Sequence, residues 1–473
     1  PLGFLALDPP SAAEGLARKL PHYHKYSYVG FEGEEPTNTA KGRWPAVGSP
    51  LVHFFAPGAE RGALPARSPL AALPPLFSRE RMMETVRKLA DPALEGRGFG
   101  SPGLEAAATY VASEMEKAGL APGGDGKGWY QSFPTEGGEP RCVATLRNVL
   151  GIVPGTKPEF AGQTVIVAAH YDGLGRGWPD CRKGNEGRIH PGSDDNASGV
   201  AVLLELARHF ASAPAPRTIV FAAFAGEEGV RSGSRFYVSS VPSPAESIRG
   251  VVNLDTVGRL GDGKLLVLGA GSAREWVQIF MGAGFVTGAK VEAVTKESGG
   301  SDQTSFLDAG VPAVQLFTGP HADYHDPGDT PDKIDAAGLA SVAAVAKEAV
   351  EYLAVREPPL TRPESSRVNA PSAGPAPGAA ASPGGARKAG LGTVPDFSWQ
   401  GKGVKIASVN PGSPAEKAGL KAGDLVTAVG GEEVSDLASY SAALKKRAPG
   451  ERVRVSFTRD GATLEAEVTL EER

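Results

Sequence analysis

Cysteine is nearly missing from this 473-residue chain, which has two, Cys142 and Cys181. So few exclude a disulfide framework or a cysteine-rich zinc finger and leave room for one bridge at most. No apolar run reaches the ~20 residues that a membrane-spanning helix requires. No basic-then-apolar leader opens the chain, which starts at Pro1 and is expected to be a processed or excised piece. Neither sign of charge dominates. With 49 Lys and Arg against 54 Asp and Glu, there is no basic field for nucleic acid or an anionic membrane. The Gly-rich run 96–103 lacks the Lys-Ser/Thr ending of a phosphate-cradling loop and follows no apolar strand, so it reads as a helix-to-helix connection.

What is present is a long chain with ample apolar content, enough for two to four domains at ~100 to 200 residues each. Residues 1–75 are rich in Pro, Gly and aromatics, and 20–31 read as an extended or strand segment. His22 and His24 have same-side strand spacing but no third ligand nearby, so a surface aromatic strand is the better reading. Helical patterns follow at 79–90 and 104–118. Beyond Asn148, short apolar runs at 164–169, 218–224, 251–254, 264–268 and 313–317 alternate with helical patterns at 201–210, 275–283 and 336–354. That alternation predicts an α/β domain over 76–355 with a mixed, mostly parallel central sheet flanked by helices.

In such sheets ligands collect at the carboxyl ends of the strands. His170-Tyr171-Asp172 follows one apolar run, Glu227-Glu228 another, Asp255 ends a third, and Tyr324-His325-Asp326 follows the run that ends at Phe317. Ser193-Asp194-Asp195-Asn196-Ala197-Ser198-Gly199 sets two carboxylates before a small-residue turn that opens an apolar helix, where N-H groups can hold an anion. Alone, that stretch reads equally well as an ordinary capped helix. Two His, two Asp and two Glu converging at one sheet edge suit a pair of zinc ions in a hydrolytic site.

The ordered motifs His-x-Asp, Asp-Asn-x-Ser-Gly, Glu-Glu, Asn-x-Asp and His-x-Pro-x-Asp-Thr resemble the M28 family of zinc aminopeptidases over residues 80–355. The resemblance implies that Asp195 bridges two zinc ions, with His170 and Asp255 completing one and Glu228 and His325 the other. Asp194 is then a neighbour, and Glu227 is the general base. Tyr324, next to His325, is the candidate oxyanion donor, and Asp172 is expected to orient the His170 ring. Gln303 departs from the pattern, in a Ser-Asp-Gln where related sequences often carry Ser-Asp-His. His53, His190, His209 and His321 read as structural or rim residues.

Residues 356–387 are dominated by Pro, Ala, Gly and Ser and read as a tether. After it, 388–473 resemble the PDZ domains of bacterial proteases through Asn410-Pro-Gly-Ser-Pro-Ala-Glu-Lys-Ala-Gly-Leu, which implies a small, partly open β-barrel with helices. Gly390-Leu391-Gly392-Thr393 matches the loop that receives a chain-terminal carboxylate, so a C-terminal peptide is an expected partner. The expected activity is two-zinc exopeptidase, most simply aminopeptidase, acting on peptides outside the cytoplasm in a secreted or periplasmic setting. Two alternatives are a glutaminyl-cyclase-like transferase, which uses one zinc and does not need the His170 and Asp255 pair, and a non-catalytic peptide-binding scaffold, which would have lost Glu227 or several ligands.

Overall fold

The computed structural model describes residues 8–23, 26–33, 36–42, 76–182, 184–296, 300–363, 389–396, 399 and 401–472. Two compact units divide the chain, Pro1–Pro74 and Pro75–Arg473. In the first, helix α1 (Ala13–Lys19) precedes an antiparallel hairpin of β1 (Tyr28–Glu32) and β2 (Thr37–Gly42). The extended reading of 20–31 is corrected at its start. Leu20–Tyr23 is a short 3-10 turn, and pairing begins only at Tyr28. Pro21 has no N-H to give to a ladder and its φ is already set for a turn. His24 and the side chain of His22 lie outside the described residues, so their pairing is not described.

The second unit opens with α2 (Arg79–Leu89) and α3 (Pro102–Lys117). Each is capped by a serine, with Ser78 accepting from the Arg81 N-H and Ser101 from the Leu104 N-H. Strands β3 (Ala121–Pro122), β4 (Tyr130–Gly137), β5 (Cys142–Val153) and β6 (Thr164–His170) come next, then α4 (Gly199–Ser212) and β7 (Thr218–Phe224). The chain continues through α5 (Glu227–Val230), α6 (Ser232–Ser240), α7 (Pro244–Ser247), β8 (Ile248–Leu254), β9 (Leu265–Leu268), α8 (Trp276–Thr287) and β10 (Val291–Val294). It ends in α9 (Gln303–Asp308), β11 (Ala313–Phe317) and α10 (Ala336–Val355).

These strands form one mixed sheet in the order β10-β9-β11-β8-β6-β7-β5-β3, with β4 also on β5. The four central strands β11, β8, β6 and β7 run parallel, so their carboxyl ends share one edge. Side-chain alternation divides the sheet between two cores. Val165, Val167 and Ala169 pack with Val202, Leu206 and Val342 on one face, and Ile166 and Ala168 pack with Tyr237 and Phe306 on the other. Both faces are covered, which is why these strands read as unbroken apolar runs.

The expected tether begins too early. Arg356 donates to Glu275, the Thr361 N-H and hydroxyl both donate to Glu275, Arg362 donates to the Gly310 carbonyl, and Leu360 is buried. Residues 356–363 are therefore part of the first core's surface, and 364–388 lie outside the described residues.

From Ala389 a second small core forms around Leu391, Ile406, Val426, Leu444, Val455 and Phe457. Its elements are β12 (Ala389–Gly390), β13 (Thr393–Pro395), β14 (Val404–Val409), α11 (Pro414–Lys417), β15 (Leu425–Val429), β16 (Glu432–Glu433), α12 (Leu437–Lys445), β17 (Arg452–Arg459), β18 (Ala462–Thr469) and β19 (Glu471–Glu472). The main sheet runs β13-β14-β15-β17-β18, which leaves β13 at an edge. Asp424, itself buried, receives two 2.7 Å hydrogen bonds from Arg459 across this core's rim.

Candidate active site

His170 is the last residue of β6, in register with Phe224 on β7. Two residues past Phe224, Gly226 turns the chain with a φ of 76°, and α5 starts at Glu227. Asp255 follows β8 directly, and its N-H donates to the Leu316 carbonyl of β11. His325 sits eight residues beyond β11 with a left-handed φ of 55°, a conformation a non-glycine residue holds only when its surroundings enforce it.

The fifth candidate ligand, Asp195, comes from a turn that differs from the expected helix start. Ser193–Ser198 is a π-type turn in which Asp195 and Asn196 leave helical geometry, and α4 begins only at Gly199. Asn196 supplies the cap by accepting from the Gly199 N-H at 3.0 Å. The N-H groups of Asp194 and Asp195 both donate to Asp329 Oδ2, at 2.8 and 3.1 Å, so Asp329 holds the turn's backbone and the helix N-terminus does not. Asp194 is turned inward. Its Oδ1 accepts from Ser198 Oγ and the Gly258 N-H, and its Oδ2 lies 3.1 Å from His321 Nε2.

Asp195 stands between the two histidines. Its Oδ1 is 3.2 Å from His170 Nε2, and its Oδ2 is 3.1 Å from His325 Nε2. His170 Nε2 is also 3.6 Å from Asp255 Oδ1, and His325 Nε2 is 3.4 Å from Glu228 Oε2. Two clusters result, His170-Asp195-Asp255 and Asp195-Glu228-His325, each with its donor atoms within 4.8 Å of one another. Both ring nitrogens of His170 are buried without a hydrogen-bond partner among the described residues, a cost that metal ligation removes. Carboxylate oxygens and imidazole nitrogens in this number fit zinc.

The electrostatics are those of closely packed acids. Burial, with Asp255, Asp302 and Glu228 nearby, pushes Glu227 well above the ordinary carboxylate range. Burial and the Asp195 charge raise Glu228 to about 8. Burial works against charge on Asp195 too, but His170 and His325 hold it well below its ordinary value. Both imidazoles pay the same burial cost and are nevertheless raised by the carboxylates around them.

Asp172 lies 3.6 Å from His170 Nδ1, beyond a good hydrogen bond. Its two oxygens instead accept from the N-H groups of Glu227 and Glu228, at 3.2 and 3.3 Å, so it anchors the start of α5. Tyr324 lies flat on the His325 ring, with centroids 3.9 Å apart and planes at 18°. Gln303 joins a buried amide ladder, accepting from Asn253 and donating to Gln315. His209 packs edge-on to Phe77 and Phe210, His190 is buried, and His53 lies outside the described residues.

Two contributors escaped the sequence reading. Arg97, fully buried, donates to the carbonyls of Leu89, Tyr171, Pro191 and Gly192, tying the segment after His170 to the segment before Asp194. Asp180 places Oδ2 2.7 Å from His325 Nδ1. Neither stands in an apolar pattern or beside another ligand in sequence. Asp329 was visible in the His-x-Pro-x-Asp-Thr motif but had no role assigned.

In the C-terminal core, the Leu391 carbonyl accepts from the Ala415 N-H and the Gly392 carbonyl from the Asn410 N-H. Because the two groups of a peptide plane point in opposite directions, the N-H groups of Gly392 and Thr393 face away from that segment. Gly392 has a φ of 72°, and a Cβ there would lie 2.2 Å from Ser413 Cβ. The Thr393 and Tyr440 hydroxyls are 2.7 Å apart, joining β13 to α12.

Imidazoles and carboxylates gathered at the carboxyl edge of an α/β sheet stand where that architecture binds its ligands. Residues 148–350 match Peptidase family M28 and residues 389–470 match the PDZ domain, so this chain carries an M28 peptidase region followed by a PDZ domain. A probable zinc metalloprotease of Pyricularia oryzae is 26% identical over 397 residues, covering 74% of each chain. A probable zinc metalloprotease of Pyrenophora teres f. teres is 31% identical over 187 residues, covering 38% of this chain and 39% of that protein. The Fimbriiglobus ruber glutaminyl cyclase structure superposes with a TM-score of 0.50 at 22% identity, over 61% of this chain and 99% of that one, a likeness of fold. No helix among the described residues is long and apolar enough to cross a membrane.

Proposed function

We propose that this chain is a two-zinc exopeptidase that releases residues from the free amino end of peptides. The observation that carries the reading is Asp195, whose two oxygens face two different histidines, each with its own further carboxylate. Bound zinc would supply Lewis acidity and a readily deprotonated water at neutral pH. His170, Asp195 and Asp255 would hold one ion, and Asp195, Glu228 and His325 the other. Glu227, set at the start of α5 by Asp172, takes the proton from the attacking water and returns it to the leaving amine. We assign the Tyr324 hydroxyl as oxyanion donor. The presence of His170 and Asp255 in one cluster with Asp195 favours this reading over a single-zinc cyclase.

The proposed domain plan is an N-terminal segment to about residue 75, a peptidase domain, a Pro-rich tether and the PDZ domain. Gly390, Leu391, Gly392 and Thr393 receive the C-terminal carboxylate of a peptide laid along the β13 edge. We also place the protein outside the cytoplasm, which cell fractionation tests. For the activity, free-amine aminoacyl chromogens and peptides are compared with N-acetylated and C-terminally blocked ones. Cleavage that survives N-acetylation but stops when the C-terminus is blocked would refute the aminopeptidase reading.

A further inference from the structure

The segment between β6 and the Asp194 turn crosses both elements that carry the second cluster. Trp178 stacks edge-on to Phe99 and lies over Gly229 of α5, where a Cβ would come within 2.9 Å of the indole ring. Two residues on, Asp180 meets His325 Nδ1 at 2.7 Å. Arg182 then donates to the carbonyls of Ala322 and Tyr324, at 2.9 and 2.5 Å, and Asn185 donates to Asp326 Oδ2 at 2.9 Å. One strap thus grips the helix of Glu228 and the loop of His325.

An ionised carboxylate only accepts, so its partner Nδ1 must carry the proton. The His325 Nε2 lone pair is then presented to the space it shares with Asp195 and Glu228. Among the described residues the first cluster has no such bond, since Asp172 is 3.6 Å from His170 Nδ1 and is engaged with α5. The Asp180 and His325 side chains are 19% and 15% exposed, so the bond is shielded from competing water.

We propose that Asp180 is the positioning residue of the Asp195-Glu228-His325 half-site, fixing the tautomer and ring angle of His325. This rests on the two-zinc reading. Partners of this kind change metal affinity by ~10 to 100-fold when removed. The test uses the full chain as wild type, Asp180→Ala and Asp180→Asn, dialysed against graded concentrations of a zinc chelator, with zinc per chain measured by mass spectrometry. In Asp180→Ala one ion should leave at ~10 to 100-fold lower chelator while the other leaves as in wild type, and added zinc should restore activity. Asp180→Asn, which keeps the shape, should fall between and decides the matter if the alanine variant misfolds. Variants that keep both ions as wild type does, or that lose both together, overturn the proposal. A wild type that holds only one ion refutes the two-zinc reading instead, and Asp180 is then judged on whether its variants weaken that ion.

Discussion

Replacing Glu227 with Gln isolates the proton-transfer step from metal binding. Gln has the same volume, and the backbone N-H of residue 227 still donates to Asp172, so α5 keeps its start and Glu228 its place. What is lost is the ability to accept a proton. Losing a general base costs ~10² to 10⁴-fold, or about 2.7 to 5.4 kcal/mol of barrier at 1.36 kcal/mol per decade. The assay is kcat on an aminoacyl chromogen with zinc content measured on the same sample. A variant with wild-type zinc and more than a tenth of wild-type kcat would show that Glu227 is not the base.

Truncation after Pro363 should leave cleavage of small substrates within about two-fold of the full chain, because the clustered ligands lie between His170 and His325, and the 356–363 segment is retained. A folded, zinc-loaded truncation without activity would show that the PDZ domain completes the site. Arg459→Ala removes both hydrogen bonds that Arg459 gives to Asp424 and should destabilise the PDZ domain; a calorimetric scan should show the loss in the PDZ transition alone. In the metal-free chain Glu228 keeps its proton up to about 8 against an ordinary 4.5. The folded state therefore binds the extra proton, its stability falls as pH rises through that window, and zinc, which displaces the proton, binds more tightly. Thermal melts from pH 6 to 8 should show the zinc-loaded and metal-free midpoints moving apart, and a constant gap would count against this linkage.

Much of the fold was legible because a sheet buried on both faces writes itself as unbroken apolar runs. Residues 218–224 and 313–317 were read with the boundaries the structure has. The β4-β5 hairpin escaped, since Cys142–Val153 begins exposed and mixes Thr, Arg and Asn into its length. β10 and β18, short or exposed, escaped for the same reason. At the site, His170, Glu228, Asp255 and His325, four of the residues singled out by their position after strands, come together around Asp195. Their supports were not legible. Asp180 meets His325 across 145 positions of chain, a contact that exists only once the strap has folded over the loop. The support of the Asp194-Asp195 turn was not legible either: the N-terminus of an apolar helix is the expected hold, whereas Asp329 accepts from both N-H groups and Asn196 caps α4.

The central claim is that Asp195 joins two zinc ions in one working site, and zinc titration of the metal-free full chain, with aminopeptidase activity followed at each addition, tests it most directly. Two equivalents should bind and full activity should require both, while Asp255→Ala, which removes a ligand from the first cluster only, should bind one tightly and lose most turnover. Saturation at one equivalent, with Asp255→Ala as active as wild type, would contradict the two-zinc account.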